Sequence, residues 1–302
     1  MSGKADSLKS VLYALGANLA IALAKSGGAA YTGSSAMLAE AIHSFADCGN
    51  QGLLLWGMRR ARKAPNAEHP LGYGKAIYFW SFIVALMLFS MGGLFSIYEG
   101  VHKLGQPEPM KDAWVALAIL GFGIVAESVS LWGALREIDK ERGGRGYWAW
   151  FRSSRTSELV VIFGEDIAAL GGLVLAFGFI VVALLTGNPM WDALGSVAIG
   201  ALLVLVAVAL GIEISALLVG QSADPLVEQA MHEHLATHAE VHRVFNLITL
   251  QLGPDVMVAI KAAMAPQGSE RGLIDATNRV ERSLRESFPQ VRWCFFEPDH
   301  SD

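Results

Sequence analysis

Residues 41–50 read Ala41-Ile42-His43-Ser44-Phe45-Ala46-Asp47-Cys48-Gly49-Asn50, inside an apolar stretch running from 34 to 58. That stretch is long enough to cross a bilayer as a helix. His43 and Asp47 are four apart, so on a helix one stands above the other on a single face. Glu40, His43, Asp47 and Asn50 follow one another at steps of 3, 4 and 3, which is one stripe of a 3.6-residue helix and is expected to face the protein interior. Ionisable groups at membrane depth cost about 2.5–3.5 kcal/mol each by insertion scales, so a chain that keeps them there is expected to use them. The natural use of an imidazole and a carboxylate in that setting is a metal or proton site.

The surrounding chain supports a membrane setting. It has 302 residues, 53% of them hydrophobic and only 17% charged, with a mean hydropathy of +0.41, too apolar for an ordinary soluble domain. Six apolar stretches of span length can be marked, at 10–31, 34–58, 77–101, 113–135, 158–186 and 190–218. Five basic residues fall in 59–76 and six in 136–157, whereas the opposite loops are nearly neutral, Lys103 and Lys111 being their clearest cations. The positive-inside rule therefore places both termini and both basic loops in the cytoplasm, and Lys4 and Lys9 agree. A signal peptide is the alternative for the first stretch, but Asn18 within it and a second span almost directly after it fit a helical hairpin better. With no targeting peptide recognised ahead of that span, a bacterial inner membrane is expected, an organelle membrane being the alternative. The net charge of -5 and the loop placement of the basic residues exclude nucleic acid as a partner. The two cysteines, Cys48 and Cys294, are too few for a disulfide framework or a zinc ribbon and read as buried structural thiols.

Beyond about residue 222 the pattern changes. Ser222-Ala223-Asp224-Pro225 predicts a helix start, with proline in the first turn and a helix running to about His238. Residues 244–252 and 256–264, separated by Gly-Pro-Asp, predict a hairpin; a helix at about 271–287 and a short strand at 291–296 follow. The order αββαβ makes a small two-layer domain, so the expected division is a transmembrane domain over 1–221 and a cytoplasmic one over 222–302.

More acidic residues lie in the spans. Glu165 and Asp166 are adjacent, so on a helix they point about 100° apart: one can ligate while the other supports it. Glu127 and Asp192 complete the set. No lysine or arginine is expected deep in a span, which leaves a bound cation or protons to balance these carboxylates. The alternative is that the groups merely pair with one another and with backbone to hold the bundle together.

The stretch from Ala39 to Gln51, with His69-Pro70-Leu71-Gly72-Tyr73-Gly74-Lys75, Trp191-Asp192-Ala193-Leu194-Gly195-Ser196 and the closing Phe295-Phe296-Glu297-Pro298-Asp299, resembles the cation diffusion facilitator family of divalent-metal transporters. The likeness covers nearly the whole chain and is strongest to the zinc transporter nine branch, where the fifth span carries a Glu-Asp pair. It implies a homodimer in lipid, each subunit with six transmembrane helices and a C-terminal ferredoxin-like cytoplasmic domain. It further implies that metal passes between the second and fifth helices, usually in exchange for protons, with His43, Asp47 and Asp166 as ligands.

Two departures bear on the site. Most members carry histidine or aspartate four residues before the fifth-span aspartate, where this chain has Ile162. Glu165 is then the candidate fourth ligand, and one nitrogen with three oxygen donors is a harder, less zinc-selective set, which brings Mn²⁺, Fe²⁺ and Co²⁺ in beside Zn²⁺. Tyr73 replaces the second histidine of the loop motif, which favours a structural role for His69 over an accessory metal. Glu40, Asn50 and Glu127 stand as further metal- or proton-linked candidates. In the tail, His232, His234, His238 and His242 form a cluster in which His234 and His238 share a helix face and His232 does not; a regulatory metal or a solvated helix face are the two readings.

No resident cofactor is implied, the metal being cargo. An intramembrane metal hydrolase is disfavoured, since the spans hold one histidine and no His-Glu-x-x-His. A non-transporting membrane scaffold or regulator that keeps the transporter fold is the alternative, and Ile162 and Tyr73 give it substance.

Overall fold

The computed structural model describes residues 3–106 and 109–301, with side chains from Asn18 onward, so Lys4 and Lys9 fall outside the described side chains. Six long helices carry most of the chain: Gly3–Thr32, Ser35–Ala61, Ala76–Gly105, Ala113–Glu141, Ser157–Thr186 and Met190–Val219. Among the described residues the last four are, by length and composition, apolar enough to cross a membrane. The second helix is diluted by its polar stripe and by Arg59 and Arg60 in its last turn. At 27 residues it is about 40 Å long.

The contacts of the chain resolve into two units. The first comprises Met1–Gly57, Trp80–Arg145 and Glu158–Glu213; the second comprises Met58–Phe79, Gly146–Ser157 and Ile214–Asp302.

In the first unit the turn between the first two helices is made at Gly33, whose φ of +71° suits a residue without a Cβ. The third helix is regular α over Ala76–Met87 and Phe95–Gly105 and π-helical over Leu88–Leu94. It packs on the sixth through glycines. A Cβ at Gly200 would stand 2.7 Å from the Gly93 carbonyl oxygen and from the Ile97 amide nitrogen, and one at Gly100 would stand 2.7 Å from the Ala193 oxygen. Ser196 Oγ donates to the Ser96 carbonyl at 2.7 Å beside them. Small residues give helices in lipid the close approach that replaces a hydrophobic drive. Gly200→Ala is therefore expected to lower stability by about 1–3 kcal/mol, the usual cost of overpacking a tight core, read as an earlier unfolding transition in detergent; an unchanged transition would show that the two helices separate freely.

In the second unit the C-terminal segment runs helix, strand, strand, helix, strand: Pro225–Ala236, β1 (Val241–Leu252), β2 (Asp255–Met264), Glu270–Ser287 and β3 (Val291–Pro298). Asp224 caps the first of these helices by accepting from the Leu226 amide at 2.9 Å, with Pro225 in the first turn. Ser269 caps the second by accepting from Gly272 at 3.1 Å. The sheet order is β1-β2-β3, β1 antiparallel and β3 parallel to β2. Alternate residues of β2, namely Val256, Val258, Ile260 and Ala262, are buried with Met231, Leu235, Val280, Leu284 and Cys294. Burial pushes the Cys294 thiol up to about 12, so this cysteine is an inert apolar filler, as expected. Cys48 differs from expectation: it is only partly buried, because it lies one residue, about 100°, off the inward stripe.

The β1–β2 turn of this unit meets the loop before the third helix. The Gly253 amide donates to the Tyr78 hydroxyl at 3.0 Å, and a Cβ at Gly74 would overlap the Leu252 carbonyl oxygen. Two glycine backbones are thus in direct apposition.

Candidate metal site

The stripe of the second helix faces inward. Glu40, His43 and Asn50 are fully buried, while Asp47 keeps 17% of its side chain exposed. His43 Nδ1 stands 3.6 Å from Asp47 Oδ1, beyond hydrogen-bond reach. The two adjacent acids of the fifth helix diverge as their spacing requires. Glu165 accepts from Asn50 Nδ2 at 2.6 Å, and Asp166 accepts from Ser130 Oγ of the fourth helix at 3.2 Å. The structure thereby gives Asn50 a definite position as the group that holds Glu165.

Asp47, Glu127, Glu165 and Asp166 converge on one small cavity, completed by Asn18, Ser44, Gln51 and Ser130. Its volume of about 40 Å³ is room for about three or four waters or a partly hydrated ion, at about 10–15 Å³ for one water-sized probe. His43 sits behind Asp47 and does not border the cavity. Among the described residues no three His, Cys, Asp or Glu side chains close to ligating distance around one point. The donors are nevertheless open: both ring nitrogens of His43, Asp47 Oδ1, Asn50 Oδ1 and Glu40 Oε1 are buried and accept or donate no hydrogen bond. Buried polar atoms are paired in the great majority of cases, so five such atoms on one helix face make this the candidate region for an ion.

Two expectations are corrected. Lys25 of the first helix is completely buried, with Nζ 3.2 Å from Glu40 Oε2 and 2.8 Å from Ser44 Oγ, so a basic residue does lie deep among these helices. The signal was legible: Lys25 is eight residues before Gly33 and Glu40 seven after it, so a hairpin turning at Gly33 brings them to one depth. Asp192 does not join the acidic set. It receives Ser34 Oγ at 2.5 Å, the Ser35 amide at 2.6 Å and the Ser35 hydroxyl at 3.0 Å, and so caps the N-terminus of the second helix. A carboxylate at the start of one long helix satisfies the open amides at the start of another, a pairing that no local spacing could announce.

The histidines outside the spans are engaged elsewhere. His69 stacks on Tyr73 with ring centroids 4.2 Å apart, and its amide donates to Asn66 Oδ1 at 2.7 Å, so in its own unit it orders a loop. His234 Nε2 lies 3.0 Å from Ser283 Oγ and its ring stands edge-on to Phe288; burial, followed by the nearby His238, lowers its proton affinity. His232 points to a separate, open cavity lined also by Glu228, Gln229 and Glu233, so His232 and His234 do not share a site.

Comparison with known proteins places the chain in a family. The model of the cation efflux transmembrane domain matches residues 11–219. The proton-coupled zinc antiporter SLC30A9, mitochondrial, of Mus musculus is 34% identical over 74% of this chain and 40% of its own length. Metal tolerance protein C4 of Arabidopsis thaliana is 31% identical over 82% of this chain and 55% of its own. The magnetosome protein MamB of Paramagnetospirillum magneticum is 25% identical over 93% and 90%. The chain thus spans about two fifths of the mouse relative's length. A family model covering over two thirds of the sequence settles the class: the chain belongs to the cation diffusion facilitator family, whose members are membrane transporters of metal ions and not enzymes.

Proposed function

We propose that the protein exports a divalent cation, Zn²⁺ first and Mn²⁺, Fe²⁺ or Co²⁺ next, from the cytoplasm in exchange for protons. The observation that carries this reading is the convergence of Asp47, Glu165 and Asp166 on one cavity, with His43 unpartnered behind it. In this reading all six long helices cross the membrane, 222–302 forms a ferredoxin-like cytoplasmic domain, both termini are cytoplasmic and two copies form a homodimer. The expected bacterial inner membrane remains a proposal beside a relative whose name is mitochondrial.

The chemistry follows from the donors. One imidazole nitrogen and three carboxylates bind a divalent ion only when deprotonated, so metal and protons compete for the same atoms. Protons arriving from the far side displace the ion, and re-exposure to the cytoplasm releases them. Moving a divalent ion out against an inside-negative potential costs about 4.6 kcal/mol per 100 mV, twice the value for one charge. Two inward protons cancel that electrical cost and add about 1.4 kcal/mol each per unit of pH gradient.

The test is uptake of Zn²⁺, Mn²⁺, Fe²⁺ and Co²⁺ into vesicles holding the purified protein under an imposed pH gradient. Selective flux that follows the gradient and disappears in Asp166→Ala is expected. Absence of flux for every ion would leave the scaffold reading standing.

A further inference from the structure

The second helix carries two carboxylates within about one turn of His43, and only Asp47 borders the cavity. Glu40 is held away from it. Its Oε2 accepts from Lys25 Nζ at 3.2 Å, while Oε1 is without a hydrogen bond and lies against Gly172 of the fifth helix, where a Cβ would overlap it. The lysine stem passes Gly123 of the fourth helix, whose Cβ would come within 3.7 Å of Lys25 Cε. A second ammonium hydrogen goes to Ser44 Oγ at 2.8 Å, and Ser44 is itself part of the cavity wall. The pair therefore fills the space between four helices immediately beside the ion's cavity, with both side chains wholly shielded.

Stability is a poor reason for such a pair. Two charges withdrawn from water lose about as much as their attraction returns, and well-packed apolar side chains of similar volume often do as well or better. What the pair does change is the donor set. A free Glu40 would stand three residues before His43 on the same stripe with an open oxygen, ready to be one more hard ligand. The geometry points to Lys25 as a built-in competitor cation: by occupying Glu40 it restricts the transported ion to His43, Asp47 and the fifth-helix carboxylates, and so determines which divalent ion the site selects. This rests on the cavity being the transport site. Removing the lysine adds an oxygen donor and a negative charge, which favours Mn²⁺, an ion of six oxygen ligands, over Zn²⁺, which prefers four. Removing Glu40 alone leaves an unmatched positive charge beside the cavity and weakens every divalent ion.

The experiment measures Zn²⁺ and Mn²⁺ binding by competition to the full-length protein in detergent, with thermal unfolding alongside. Lys25→Met is expected to raise Mn²⁺ affinity relative to Zn²⁺ at least about tenfold, Glu40→Gln to lower both by a similar factor, and the Lys25→Met, Glu40→Gln double variant to return the ratio to that of the parent. Folded single variants with parental affinities and ratio would overturn the proposal. If Lys25→Met fails to fold, the loss of affinity in Glu40→Gln decides it. Failure of both single variants with recovery in the double variant would make the pair a structural lock and overturn it as well. Asp166→Ala is the separate control: unchanged metal binding there would bring down the transport-site reading, and this proposal with it.

Discussion

Replacing Asp47 with asparagine is expected to cut proton-driven metal flux by about two orders of magnitude or more, the counterpart of the 3–5 kcal/mol typical when one partner is removed from a buried charge interaction. Asparagine keeps the size and one carbonyl oxygen of the side chain, so the helix and its packing should survive. What it loses is the charge. Asp47 is the stripe residue that both borders the cavity and stands next to His43, so it is where an ion in the cavity and the imidazole behind it meet. An amide also cannot exchange a proton for a metal, so any residual flux should lose its dependence on the pH gradient. Glutamate at 47 should recover part of the coupling but not the selectivity, since the extra methylene pushes the carboxylate into a cavity of only about 40 Å³. Flux within threefold of the parent in Asp47→Asn would remove the second helix from the transport path.

The second large effect concerns stability. Asp192→Ala removes a carboxylate that accepts from two side-chain hydroxyls and from the Ser35 amide. A hydrogen bond to a charged group contributes about 1.5–3 kcal/mol and an uncapped N-terminus alone loses about 1 kcal/mol; bonds that share one carboxylate do not add, so a destabilisation of about 2–4 kcal/mol is expected. The measurement is the unfolding free energy in a mild detergent, with Asp192→Asn as the comparison. Asparagine can still accept the bonds but does not carry the charge that complements the helix dipole, so it should recover about half the loss. Parental stability in Asp192→Ala would show that Ser34 and Ser35 find other partners.

The long helices and the order of the tail were legible because they are written in local periodicity. The second-helix stripe repeats at helical steps, and β2 alternates as a strand between a core and an outer face. The divergence of Glu165 and Asp166 was legible too, being a matter of 100° per residue. What sequence could not supply was the partnership of residues far apart in the chain. Asp192 looked like one more acid of a site because its proper partners, Ser34 and Ser35, lie 157 or more residues away. Lys25 is the exception: a lysine in an apolar run reads as a flank, but a hairpin turning at Gly33 sets it opposite Glu40, so its depth is written in the spacing around that turn. His43 illustrates the reverse case. Its residue type and spacing marked it for the site, yet its position one layer behind Asp47 depends on how four helices pack.

The π-helical stretch of the third helix settles a problem of angular phase. Gly92 lies beside His43 and the side chain of Leu203, while Ser96 and Gly100 farther along meet Ser196 and Val197 of the sixth helix. Wound as an unbroken α-helix, the same residues between Leu88 and Leu94 would turn everything from Phe95 onward by about 100° and point Gly100 away from the sixth helix, whereas the wider π turn absorbs the extra residue and keeps the face. In this segment the number of residues encodes an orientation, and their identity is secondary. A sequence alignment that runs without a gap into a chain whose helix is regular there would superimpose the letters and misplace the face.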